Sequence, residues 1–161
     1  MSVKFVKRNS AFCVLFLITF LNSCTPHCNQ WKLAIVKSDC PCATYVKAYL
    51  PTCNTFNGLE AVLTSYNGSV KLYLNAFTLN FPFYNGDEEH SEVSLLINDE
   101  KFTFVAERLQ GGQCLLLPED GMQLITGALL EHKCVDVIVG RFQTTLTYEN
   151  FQKTYCSLTN F

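Results

Sequence analysis

Residues 59–74 read LEAVLTSY, then Asn67-Gly68, then SVKLYL: two alternating runs around a two-residue break. Asn-Gly is the dipeptide that most readily takes positive φ at both centres of a type I′ turn, the turn whose twist suits paired strands. The stretch predicts a hairpin, with Val70, Leu72 and Leu74 on one face and Lys71, Tyr73 and Asn75 on the other. So strong a local hairpin commits the chain to antiparallel pairing, because only antiparallel strands can be joined by so short a link.

The rest of the chain extends that sheet. The phase flips to Phe77, Leu79 and Phe81, which predicts a bulge near Asn75–Ala76, and Pro82 closes the strand. Residues 84–92, YNGDEEHSE, hold four acids and His90. Asp87, Glu88 and Glu89 run consecutively instead of alternating around a glycine, so the segment reads as a solvated loop and not as a calcium loop. Val93, Leu95 and Ile97 alternate, Asp99-Glu100 turns, and Phe102, Phe104 and Ala106 alternate back. Gly111-Gly112 breaks the pattern before QCLLL, a short buried strand.

Pro118 then opens a helix with Glu119 and Asp120 at its positive end and Met122, Ile125, Leu129 and His132 along one stripe. His132 falls near the helix C-terminus, where it suits the dipole, while Gly121 and Gly127 weaken the helix. CVDVIVG, a Gly140-Arg141 turn and FQTTLT give two more strands. Residues 148–158 close the chain as a helix with Phe151, Tyr155 and Leu158 inward. Seven short strands and two helices in the C-terminal half predict a mainly β domain over 58–161, antiparallel and β-sandwich-like, with an α+β arrangement as the second choice.

The N-terminus has a different character. Residues 1–10 carry Lys4, Lys7 and Arg8, and residues 11–21, AFCVLFLITFL, are apolar throughout. Eleven helical residues rise about 16 Å, half a hydrocarbon thickness, so the run is a signal h-region and not a span. Leu21-Asn22-Ser23-Cys24 follows and resembles the lipobox of bacterial lipoproteins. That resemblance implies a signal peptide over 1–23, diacylglyceryl (and palmitate-type acyl) chains on Cys24 and, with Thr25 rather than Asp next, sorting to the outer membrane. Each buried methylene adds about 0.8 kcal/mol, so two or more chains hold a protein stably at a membrane.

Beyond Cys13 and Cys24, seven cysteines remain: Cys28, Cys40, Cys42, Cys53, Cys114, Cys134 and Cys156. Export permits disulfides, and all seven are candidates. Four of them crowd into 28–53 beside Pro41 and Pro51, where no period is evident, so 24–57 reads as a stapled, lipid-anchored collar. Three bridges with one thiol left over leave about a hundred pairings open, and the odd thiol could link a neighbouring molecule. Cys28, Cys40, Cys42 and Cys53, with His27, do not match zinc-knuckle spacing, so no metal or other cofactor is expected. His132 two residues before Cys134 is not a recognisable catalytic pair. In size and cysteine content the chain is similar to small cysteine-rich envelope lipoproteins of the chlamydial type.

Composition narrows the function. Removing Lys4, Lys7 and Arg8 from the 12 basic residues leaves nine against 14 acids, a net charge of −5. An acidic domain without clustered Lys and Arg is not a nucleic-acid binder. No nucleophile elbow, zinc-protease helix, phosphate loop or dinucleotide fingerprint occurs, and the expectation is a protein that is not an enzyme. The segments INDEKF, VDVIVGRF and NFQKTY, across about 95–155, resemble the invasion-associated locus B family, which implies a periplasmic β-sandwich. The reading is a cell-envelope protein, lipid-anchored through Cys24 and acting by binding or structure; the alternative is a soluble secreted disulfide-stapled effector or inhibitor domain. Phe81, Phe83 and Tyr84 in NFPFYNG are the candidate partner-binding residues.

Overall fold

The computed structural model describes residues 30–36, 45–66 and 68–160. The signal segment, Cys24, Cys28, Cys40 and Cys42 lie outside the described residues.

Among the described residues nine strands form a single antiparallel sheet: β1 (Lys32–Val36), β2 (Tyr45–Leu50), β3 (Glu60–Tyr66), β4 (Ser69–Asn75), β5 (His90–Ile97), β6 (Glu100–Arg108), β7 (Cys114–Leu116), β8 (Val135–Val139) and β9 (Phe142–Leu146). The helices among the described residues are α1 (Glu119–Leu130) and α2 (Phe151–Thr159). This is the mainly β, antiparallel class with two late helices that the periodicity predicts. The spatial order is β1-β2-β3-β4-β7-β6-β5-β8-β9. Within the sheet, the two sectors β1–β4 and β6-β5-β8-β9 are therefore hydrogen-bonded to each other through β7. That strand pairs three residues with β4 and two with β6.

One face of every strand from β2 to β9 supplies the core. Ala48 and Leu50 pair with Leu63 and Ala61, these with Leu72 and Leu74, and Leu74 with Leu115, while the buried Val46 lies opposite Ser65. In the second sector Val93 and Leu95 lie opposite Phe104 and Phe102, and Leu95 opposite Val137. Helix α1 packs on both β4 and β8, strands of different sectors, and α2 packs on β1, β2 and β3. The inward residues of both sectors and the two helices form one continuous core. Trp31, fully buried, ties the beginning to the end: its indole Nε1–H donates to the Thr147 carbonyl at 2.8 Å, and its ring meets Phe151 edge-on at 5.0 Å.

The expected collar over 24–57 is corrected. Tyr45–Leu50 is a full sheet strand whose inward residues are all buried, and β1 pairs along its length. Tyrosines on the outward positions flatten the hydrophobic contrast on which period-two alternation depends, and Pro51 lies directly after the strand. No helix among the described residues is long and apolar enough to cross a membrane.

Several local expectations also move. The β3–β4 hairpin forms in the expected register, Tyr66 opposite Ser69, with Gly68 at positive φ. The strand does not continue past Asn75: Phe77 and Leu79 are exposed in a bent segment, so there is no bulge, only an end. The second hairpin turns at Asn98-Asp99, both at positive φ, one residue earlier than expected. Asn85-Gly86 also turns tightly, both at positive φ, closing a bridge between Tyr84 and Asp87 inside the expected solvated loop. His132 falls beyond α1. It occupies the left-handed position after the C-cap, with its N–H on Leu129 O and the Lys133 N–H on Ala128 O, the paired bonds of a Schellman ending.

Candidate functional site

Four connections gather around the β4–β5 crossing: residues 51–59, 76–89, 109–113 and the Gly140-Arg141 turn. In the first, Asn54 Oδ1 accepts the N–H groups of Phe56 and Asn57, an Asx turn that lifts the Phe56 ring into solvent. The Thr78 hydroxyl donates to Phe56 O at 2.9 Å, and the Gln143 N–H donates to Asn57 O at 2.9 Å. The first loop is thus fastened both to the β4–β5 connection and to β9.

The β4–β5 connection is itself pinned along its length. Ala76 N–H bonds Gln113 O, Phe81 N–H bonds Gly112 O, and the Ser91 hydroxyl bonds Pro82 O at 2.5 Å. Pro82 packs on Gly140, where a Cβ would come within 2.9 Å of the ring, and φ of +57° independently favours glycine. Gly112 has the same double requirement: its φ is +68°, and a Cβ would meet the Arg108 guanidinium at 2.6 Å.

Arg108 is the central clamp. Its guanidinium lies 4.4 Å from the Phe83 ring centroid and donates through Nη1 to Glu88 O, while its backbone N–H bonds Glu89 O. Its Nε is buried without a partner. Beside it, His90 Nδ1 and Asp87 Oδ2 are 2.7 Å apart, and Asp87 Oδ1 accepts the Glu89 N–H. The Glu89 N–H and, next, the His90 hydrogen bond hold the Asp87 carboxyl below the usual aspartate range.

The result is a fixed rim from which large apolar side chains project. Phe56 is 74% exposed, Phe83 53%, Phe77 51% and Leu79 46%. Burying apolar groups that hydrogen-bonded loops already hold in place costs little ordering entropy.

Of the three expected partner-binding residues, Phe83 stands on this rim and Tyr84 is half-buried in the adjoining bridge. Phe81 is a correction. It is 2% exposed and meets Phe142 edge-on at 5.2 Å, because Pro82 and the Gly112 bond turn it into the core. The sequence reading missed Phe56, Phe77, Leu79 and Arg108. The signal for Phe56 was present in Asn54-Thr55-Phe56-Asn57-Gly58, an aromatic residue set among turn formers.

The cysteines divide. Cys53 is disulfide-bonded, whereas Cys114, Cys134 and Cys156 are free thiols, which corrects their expected role as half-cystines. They stand apart in the fold: Cys114 half-buried on β7, Cys134 exposed before β8, and Cys156 on the solvent side of α2, where it staples nothing. Burial pushes the Cys114 thiol pKa up. Among the described residues no cluster of His, Cys, Asp and Glu is placed to hold a metal ion. A groove of about 620 Å³ lies between β4 and α1, lined by Val70, Leu72, Met122, Gln123, Thr126 and Tyr155.

No protein-family model matches the chain, and no curated protein or solved structure matches it.

Proposed function

We propose that this chain is a lipid-anchored cell-envelope protein that acts by binding, with acyl chains on Cys24 as its anchor and the rim of Phe56, Phe77, Leu79 and Phe83 as its contact surface. The observation that carries the binding half of this reading is the exposure of four large apolar side chains on two loops that are bonded to each other. The chemistry fits an apolar patch on a protein partner, with Arg108 and Asp87 supplying polar edges around an apolar centre. The lipobox resemblance supports the anchor, and an outer-membrane location follows from it.

Two measurements test the two halves separately. Mass spectrometry of the mature chain from a native-like host should find residue 24 first and carrying diacylglyceryl mass; an unmodified Cys24 thiol ends the anchor reading. A photo-crosslinking residue at position 83 should give one discrete adduct in cells. That adduct should vanish when Phe56→Ala and Leu79→Ala are combined and weaken in Arg108→Met. Its survival in a folded Phe56→Ala/Leu79→Ala variant ends the rim reading.

Cys134 and Cys156 favour a second reading, a structural role through disulfide linkage to neighbours, because both are exposed thiols in a chain with an export signal. A ladder on non-reducing gels that Cys134→Ser and Cys156→Ser abolish would support it.

A further inference from the structure

Among the described residues no helix packs on the outward side of β1–β4, and the composition of this face sets it apart. Pairing register places Lys32, Tyr49, Val62 and Tyr73 in one row and Ala34, Lys47, Thr64 and Lys71 in the next. Beyond them, Tyr45 lies beside Val36 and Tyr66 beside Ser69. The face thus shows three lysines and four tyrosines against one carboxylate, Glu60. Tyr66 is 72% exposed, and Lys47 Nζ sits 5.1 Å over the Tyr49 ring. Four strands at about 4.8 Å spacing are about 15 Å wide, comparable to a Debye length of about 10 Å, so the lysines act as one positive field.

We infer that this face lies against an anionic phospholipid surface. Tyrosine has an apolar ring and a polar tip, the side chain that settles at a headgroup boundary, and lysine stems cover apolar ground while the ammonium reaches phosphate. Juxtamembrane lysines gain from an anionic leaflet one by one. The inference rests on the anchor reading for its geometry: Lys32 is eight residues from Cys24, a tether of at most about 27 Å when fully extended. The aromatic rim is a different site with a different occupant, since Asp87, Glu88 and Glu89 adjoin it and repel the same lipid.

The test uses the full lipidated chain reconstituted into vesicles of phosphatidylcholine alone or mixed with phosphatidylglycerol, with acylation rates read at each lysine by mass spectrometry. Lys32, Lys47 and Lys71 should slow about fivefold or more in the anionic vesicles and recover in high salt, while Lys101 and Lys153 keep one rate throughout. Lys47→Glu with Lys71→Glu should return Lys32 to its phosphatidylcholine rate. Equal rates in both vesicles overturn the inference. So does protection that follows protein density regardless of lipid charge, which would mean that a second copy covers the face. Flotation with vesicles in high salt reports the acyl anchor alone. If flotation fails while added anionic vesicles still protect the three lysines, the anchor reading falls and the surface stands.

Discussion

The two sectors of this sheet share one core and present opposite exteriors. Outward from β1–β4 stand Lys32, Lys47 and Lys71 with Glu60; outward from β5, β6, β8 and β9 stand Glu92, Glu107 and Asp136 with Lys101. The first set nets +2 and is spaced by tyrosines, the second nets −2 and is spaced by Ser94, Thr103 and Thr145. Cysteine chemistry divides in the same way, with a bridged Cys53 in the first sector and free thiols from β7 onward. Inward residues in both sectors are dictated by the shared core. The outward residues are free to differ, so their difference records what each sector faces.

The strongest challenge to treating the sectors as one folding unit comes from Trp31. Trp31→Ala removes a fully buried ring, its bond to Thr147 and its contact with Phe151, and should cost about 3–5 kcal/mol. Urea unfolding followed by circular dichroism and by thiol exposure at Cys114 should shift by the same amount. Two separated transitions would break the single-core description.

Next in size is the cysteine contrast. Cys53→Ser should destabilise by about 2–4 kcal/mol, whereas Cys134→Ser and Cys156→Ser should stay within about 0.5 kcal/mol. Native alkylation should label Cys134 and Cys156 quickly and Cys114 slowly, since burial raises its pKa and limits access. Rapid labelling at Cys114 would place β7 differently.

A smaller effect runs the other way. His132 holds a left-handed φ of +60° at the Schellman position where glycine costs least. His132→Gly should therefore stabilise by about 0.5–1 kcal/mol, read as a rise in Tm, with β1–β4 unaffected in hydrogen exchange. The least costly test is titration. Asp87 has a folded pKa below its unfolded one, so its contribution is present above the unfolded value, about 4, and is lost as pH falls through the folded value. Amide protection at residues 84–90, taken relative to the intrinsic exchange rate at each pH, should fall in acid in the wild type, and Asp87→Asn should remove that acid dependence.

Much of the fold from β3 onward was legible because its signals are local. Asn67-Gly68, the alternation of Val93, Leu95 and Ile97, and Pro118 before two acids each specify an element within a few residues. The first two strands were not legible, since Tyr45 and Tyr49 face water on a strand whose other face is Val46, Ala48 and Leu50. Phe77, Leu79 and Phe81 alternate like a strand, yet only Phe81 is buried. Its burial depends on Gly112 and Phe142, which are distant in sequence. Phe83 was legible beside Pro82, but Phe56 was not, for the same reason: it joins Phe83 on one rim through the Thr78 bond, which links loops distant in sequence.

The narrow β7 also has a kinetic consequence. Hairpins β3–β4, β5–β6, β6–β7 and β8–β9 can each close from neighbouring residues within microseconds, whereas β4–β7 and β5–β8 join strands distant in sequence. High sequence separation therefore sets the seam between β4 and Cys114–Leu116 among the pairings expected to close late.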